Sequence, residues 1–446
     1  MGKSHILDKI KLNRWLNIRK TTIEQLNLKL KSKINFNITL DNCESLNKYS
    51  IDVIADFLEV SPLKLKKTNT TPTYIFKSKK EIDKSKRPIK KDGIHFYNYY
   101  TLPTPNGFVA PVLLDILCPK NKLPKLNNGH LEPAITVSIG PNDIYARFGE
   151  KINKSNWTKF KVNKNKKNNW IVGSSYFEPS FCRHTYSQAE NGLGRIISYT
   201  TKSNIENFLS GKLNENSYNN LLKTSINEKI NRTFLKLEIE SKGFSISSLA
   251  KKLKISSNKL NDYFNKSKIK LEKKYIKKIC KIINSDPNFF YDKNFDEDSV
   301  GKLYLSYKDS IKTIRTFKSY KVASLANSKR FPDLSGFFMK VSNSKKNFVN
   351  DLFDSKCSHY FVTGGNIKIH INDINEKTTK ELKNGDCIWI SAFTFHGFTG
   401  KGSLLKISDG QNINYLEKED LINTYNVNHV LRRAKNDIQN WGYDTK

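Results

Sequence analysis

The chain has 446 residues, 37% of them hydrophobic and 11% aromatic. That is too long for one ordinary core and too apolar for disorder, so several packed domains are expected. Its 77 Lys and Arg against 42 Asp and Glu leave a formal net charge of +35. The basic residues are spread along the chain among Asn and Ile, as around Lys223, Lys229 and Lys236. The charge therefore reads as compositional bias, and no specific nucleic-acid partner is expected. Cys43, Cys118, Cys182, Cys280, Cys357 and Cys387 form no CxxC pair, which argues against a disulfide framework or a cysteine zinc site. The first eleven residues have no apolar core of a secretory signal, and no stretch approaches the roughly 18 apolar residues of a membrane span. A cytoplasmic protein with no membrane partner is expected. A homodimer is left open.

In chain order, residues 49–67 read YSIDVIADFLEVSPLKLKK and residues 244–262 read FSISSLAKKLKISSNKLND. Without gaps, Ala55 matches Ala250, Leu58 matches Leu253, Val60 matches Ile255, Ser61 matches Ser256 and Leu65 matches Leu260. The pattern predicts a helix, a break at Ser61 or Ser256 acting as N-cap, and a second helix: a helix-turn-helix in each copy. After the first copy, residues 94–200 hold the strand-like runs IHFYNYY, FVAPVLLDIL, AITVSIG, NWIVGSSYF and GRIISYTT. Residues 203–240 read as a polar helical connector. After the second copy come SGFFMKV, HYFVTGG, IKIHIN, DCIWIS and SLLKIS. Short strands punctuated by Gly, Asn and Pro predict a sandwich or small barrel in each half.

The repeat extends to chemistry. Gly173 to His184 and Gly385 to His396 each span eleven positions, and His130 falls where His359 does in the second half. Glu178 faces Ile390 in this comparison. Two histidines and a carboxylate form the facial triad that holds non-haem iron(II) with open positions. The first half has all three groups and the second lacks the acid. Glu178 and His184 are six residues apart, roughly 20 Å if extended, so a tight turn at Pro179-Ser180 is required. Spacing alone also allows two satisfied core histidines and a surface carboxylate. The two helix-turn-helix copies and the basic charge allow a transcription regulator.

WLNIRKTT, KDGIHFYNYYTLP, VAPVLLDILCP, LNNGHLEPAITVSIGPNDI, YFEPSFCRHTYS, IISYTTKSNI and the C-terminal WGYD carry a further signal. Through them nearly the whole chain resembles the 2-hydroxyethylphosphonate dioxygenase family, relatives of hydroxypropylphosphonate epoxidase and methylphosphonate synthase. The resemblance implies an α+β fold of two tandem units, each an all-helical helix-turn-helix domain followed by a cupin (double-stranded β-helix) barrel. The expected boundaries are 1–85, 86–202 with the iron site, 203–300, and 301–446 for a second, degenerate barrel. It implies cleavage of 2-hydroxyethylphosphonate by O₂ to hydroxymethylphosphonate and formate, with Fe(II) as metal and without 2-oxoglutarate. It makes His130, Glu178 and His184 the iron ligands, and Tyr99, Asn127 and Ser198 phosphonate contacts. Lys20 is then the lysine that reaches the site from the helical part and acts in catalysis with Glu178. His184 borders the substrate as well as the metal. One position departs from the family. An arginine precedes the DGIHFYNYY run there, and this chain has Lys91, which keeps the charge but loses the bidentate fork. Methylphosphonate synthase resembles this pattern but takes its third ligand from a Gln four residues after the first His, with an aliphatic residue in place of the Glu. Here those positions are Ala134 and Glu178, which points to the dioxygenase.

Overall fold

The computed structural model describes residues 6–440, apart from 69–70, 92, 123, 150, 152–156, 204, 206–212, 225–229, 267, 292–302, 330 and 374–375. The C-terminal WGYD motif and the expected boundary at 300/301 lie outside the described residues.

Three antiparallel sheets dominate. A seven-stranded sheet runs in the order Leu303–Leu305, Ser175–Glu178, Ala134–Pro141, Gly194–Thr200, Val112–Ile116, Ile94–Thr101, Arg87–Lys91. A three-stranded sheet, Trp157–Phe160, Ile144–Phe148 and His184–Gln188, packs over one of its faces. Leu114, Ile144, Phe148, Phe160, Tyr176 and Ile196 fill the space between them. The other face of the seven-stranded sheet meets an eight-stranded sheet from residues 74–77 and 315–409. Ile135, Val137, Phe177, Ile197 and Tyr199 pack there with Leu325, Phe338, Phe361, Leu405 and Ile407. Residues two apart on a strand share a face. Ile135 and Val137 therefore serve this shared core, and Ala134 and Thr136 face the other way.

Two strands cross between the halves. Tyr74–Lys77, in the stretch expected to be all-helical, pairs with Cys387–Ile390 of the second half. Leu303–Leu305 pairs with Ser175–Glu178 of the first. Each covers a sheet edge that would otherwise present unpaired N–H and C=O groups.

The helical segments form two separate cores. Leu12, Leu16, Leu26, Ile54, Leu58 and Leu65 build the first. Leu235, Leu249, Leu253, Leu260, Phe264 and Ile279 build the second. The aligned pairs Ala55/Ala250, Leu58/Leu253 and Leu65/Leu260 are all buried. The second copy has both expected helices, Ile246–Leu253 and Ser257–Asn265, and Ser256 caps the latter by accepting from the Lys259 N–H. The first copy departs from expectation. After the helix Lys48–Phe57 only a 3₁₀ turn, Pro62–Lys64, forms, and the Ser61 side chain makes no capping bond. Residues 65–67 instead run beside residues 6–8, the Asp8 N–H donating to the Leu65 carbonyl and the Lys67 N–H to the Ile6 carbonyl. That tertiary pairing competes with helix extension for the same backbone groups.

Two strand readings also shift. In FVAPVLLDIL the strand begins only at Val112, beyond Pro111, because proline cannot donate to the ladder. In NWIVGSSYF only the last three residues are strand, the start of Ser175–Glu178. HYFVTGG and IKIHIN fuse into one strand, Cys357–Asn372, with a register shift between Val362 and Gly364.

Candidate metal centre and its cavity

Glu178 ends the strand Ser175–Glu178, and His184 begins the strand His184–Gln188. The expected turn lies between them. Phe181 takes a left-handed backbone, φ 57°, and the Cys182 N–H donates to the Pro179 carbonyl. The loop bearing His130 crosses this turn, where the Phe181 N–H donates to the His130 carbonyl. Gly129, at φ +75°, sits so close that a Cβ would fall 2.7 Å from the Phe181 backbone. Only glycine allows the two segments to meet.

His130, Glu178 and His184 converge, with one candidate ligand atom from each within 4.8 Å of the others. Glu178 Oε1 lies 3.3 Å from His130 Nε2 and 2.8 Å from His184 Nδ1. Glu178 is 1% exposed, and no backbone or hydroxyl donor satisfies Oε1. His130 Nδ1 lies 2.6 Å from the Glu132 carbonyl. Donation there leaves the Nε2 lone pair aimed at the cluster, the usual way a second contact orients a ligating imidazole. Burial opposes a charge on His184, but the neighbouring Glu178 carboxylate prevails and raises its pKa. A buried acid facing two imidazoles, with no other donor on its inner oxygen, fits a divalent cation held among the three. This is the only such cluster found among the described residues.

His130 and His184 open onto a cavity of about 1060 Å³, also lined by Arg87, Tyr99, Asn127 and Ser198. Burial pushes the Tyr99 phenol up, with Arg87 opposing, so the hydroxyl remains a donor. Ser198 Oγ accepts from Thr136 Oγ1 at 3.1 Å, which leaves its own proton for a ligand. Asn127 does more than line the wall. Its Oδ1 accepts from the backbone N–H groups of Gly129 and His184, both at 3.0 Å, and its Nδ2 lies 2.8 Å from His184 Nε2. It ties the His130 loop to the His184 strand.

The structure does not bring every expected residue to the cavity. Lys20, at φ 53° beyond the helix Lys9–Ile18, is exposed and is not a lining residue. Lys91 ends the strand Arg87–Lys91, and its side chain lies outside the described residues. Sequence reasoning missed Arg87, which is in register with Tyr99 on the adjacent strand and brings a guanidinium fork to the wall. Part of the signal was present: alternation along IHFYNYYT puts Tyr97 and Tyr99 on one face, and a residue directly opposite Tyr99 on the paired strand shares it.

In the second half the two histidines do not converge, contrary to the expected equivalence with His130 and His184. His396 Nε2 meets the Tyr360 hydroxyl at 2.8 Å inside the second barrel. His359 is the neighbour of Tyr360, so it faces the opposite side of the strand. There it lies 2.9 Å from the Tyr199 hydroxyl and 2.7 Å from the Pro103 carbonyl. Burial lowers the pKa of His359 to about 3 and that of His396 to about 4. A second cavity of about 610 Å³, lined by Tyr320, Phe337, Tyr360 and His396 among others, occupies this barrel.

Residues 83–201 match the family model of the 2-hydroxyethylphosphonate dioxygenase cupin-like domain. The chain is 34% identical to the 2-hydroxyethylphosphonate dioxygenase of Streptomyces viridochromogenes, over 98% of this chain and 99% of that protein. It is 24% identical to the methylphosphonate synthase of Nitrosopumilus maritimus, over 81% of this chain and 79% of that one. A solved structure of PhpD with cadmium and hydroethylphosphonate (HEP) superposes with a TM-score of 0.81 at 34% identity, covering 96% of this chain and 99% of the other. With an identity of this size along almost the full length of both proteins, the chain belongs to the 2-hydroxyethylphosphonate dioxygenase family.

Proposed function

We propose that this protein is a non-haem Fe(II) dioxygenase that cleaves the carbon–carbon bond of 2-hydroxyethylphosphonate with O₂, giving hydroxymethylphosphonate and formate. The observation that carries the reading is the convergence of His130 with the buried Glu178 and His184 at a cavity walled by Arg87, Tyr99, Asn127 and Ser198. Ferrous iron held by those three residues would supply the centre that activates O₂. The reaction balances without outside electrons, since the substrate gives up all four. No 2-oxoglutarate is therefore required.

The chain's own residues do the rest. Arg87 offers a planar fork to two phosphonate oxygens. Tyr99, Ser198 and the Asn127 amide donate to the anion, and Lys91 would contribute a further positive charge to its binding. Fixed donors in a walled site orient the substrate at little reorganisation cost. Lys20 would act with Glu178 from the helical part. The arrangement along the chain is two tandem helical-plus-barrel units, 1–85 with 86–202 and 203–300 with 301–446. The crossing strands 74–77 and 303–305 support a reading in which the units are interlocked rather than strung together.

The experiment is anaerobic loading with Fe(II), addition of O₂ and 2-hydroxyethylphosphonate, and phosphorus NMR of the products. Hydroxymethylphosphonate with stoichiometric formate is expected. Unchanged substrate with a full complement of iron would overturn the reading.

A further inference from the structure

Residues 102–111 link the strands Ile94–Thr101 and Val112–Ile116 and include Val109 and Ala110, which line the cavity beside Ser198 and Tyr99. The segment has Pro103, Pro105 and Pro111, and Gly107 at φ +85°. It holds itself by few backbone bonds, Leu102 N–H to the Pro111 carbonyl and Phe108 N–H to the Pro105 carbonyl. Such a segment has little intrinsic order and needs outside partners.

Among the described residues, its hydrogen bonds to other segments go to the second half. Gln411 Oε1 accepts from the Val109 N–H at 2.7 Å, and its Nε2 donates to the Val109 carbonyl at 3.4 Å. The same amide donates to Asp409, which is fully buried. The Tyr199 hydroxyl bridges Asp409 Oδ2, at 3.0 Å, and His359 Nδ1, at 2.9 Å. His359 Nε2 reaches the Pro103 carbonyl at 2.7 Å and Thr104 Oγ1 at 3.2 Å. Between the two ends, Phe108 stands edge-on to Trp389, ring centroids 5.9 Å apart. Tyr199 itself lies between Ser198 and Thr200, both on the cavity wall.

We propose that the second half is the positioning device for the substrate cavity: Gln411 and His359, joined through Asp409 and Tyr199, clamp residues 102–111 and so set the wall formed by Val109 and Ala110. Gln411 is a positioning residue, acting on the substrate only through the Val109 backbone. This rests on the dioxygenase reading for the identity of the substrate, but the clamp itself can be tested without turnover.

Gln411→Ala removes both bonds to Val109, and Gln411→Met removes them while keeping side-chain bulk. Asn27 supplies the control. It grips Ile38 in the same two-ended way, Nδ2 to the carbonyl and Oδ1 from the N–H, in the N-terminal helical core. In both Gln411 variants of the full-length protein, hydrogen exchange of residues 102–111 is expected to rise about tenfold or more. KM for 2-hydroxyethylphosphonate is expected to rise about tenfold with iron content unchanged. Asn27→Ala should alter neither. Unchanged exchange in residues 102–111 would show that no clamp exists. Raised exchange with unchanged KM and kcat/KM would show that the clamp does not serve the cavity. If the wild-type chain bound iron but failed to oxidise the phosphonate, the functional reading would fall. The exchange arm would still decide whether the second half holds the wall.

Discussion

Ala134 and Glu178 are cross-strand partners on neighbouring antiparallel strands, and both are buried. Directly opposed residues in such a pair project from the same face with Cβ atoms close together. A longer side chain at 134 would thus enter the space that the Glu178 carboxylate occupies. This geometry explains how a metal site can take its third ligand from either position. Glu178→Ala should lose iron, and Ala134→Gln on that background should recover part of it, read as iron per chain by metal analysis. No recovery in the double variant would mean that position 134 does not reach the metal.

The product follows from the same pair. With Glu178 present and only a methyl group at 134, hydroxymethylphosphonate plus formate is expected rather than methylphosphonate. The residue that binds the metal sets which of its open positions the substrate and its fragments occupy. Phosphorus NMR separates the two products, and methylphosphonate as the main one would show that the Ala134/Glu178 pair does not govern the outcome.

Metal analysis should give one iron per chain. In the second half His359 and His396 face opposite sides of the sheet, and Ile390 stands opposite Ser358. His396→Ala should leave the iron count at one while lowering the melting temperature, since it removes a buried side chain and its hydrogen bond with the Tyr360 hydroxyl. A drop in iron with His396→Ala would contradict this assignment.

Gly129→Ala should damage the site from outside it. The added methyl meets the Phe181 backbone, in a conformation that L side chains rarely adopt. Either the His130 loop or the turn before His184 must move. Iron affinity should fall by about tenfold or more, the range seen when groups supporting a ligand are disturbed. Equilibrium metal titration checks this, and wild-type affinity would show that the crossing tolerates displacement.

Stability should decline in acid before most carboxylates titrate. Folding holds His359 and His396 neutral, at about 3 and about 4, against an unfolded value of about 6.5. The unfolded chain binds more protons between those limits, so their contribution is complete above about pH 6.5 and is lost as pH falls towards 4. His184 is shifted the other way, and its contribution in metal-free protein is present at low pH and lost as pH rises through its folded value. The buried pair should dominate. Melting temperature should fall steadily from pH 7 to pH 5, and His359→Gln should flatten the slope. Equal slopes would place the acid sensitivity elsewhere.

The +35 charge should produce only weak, salt-sensitive binding to random duplex DNA, with dissociation constants of about 1 μM or weaker near physiological salt. Fluorescence anisotropy with labelled duplexes measures it. Tight, sequence-dependent binding would revive the regulator.

The sequence by itself offered the metal cluster as a candidate, because the spacing and the repeat that suggest it are local. The internal repeat and the turn required between Glu178 and His184 offered three residues as a candidate triad, and the family resemblance made them the iron ligands. The helix pair at 246–265 was equally legible, being amphipathic and capped by Ser256. Tertiary structure alone decided where the chain crosses itself. Ser61 has the same local signal as Ser256, yet residues 65–67 leave the helix to pair with residues 6–8. His359 occupies the position of His130 in the repeat, but the parity of its strand turns it out of the barrel and onto Pro103. Gln411 meets Val109 across 302 residues of sequence. Backbone hydrogen-bonding groups are chemically alike, so local sequence cannot say which distant donor or acceptor a side chain will meet. Only the packing of one sheet against the other makes that choice.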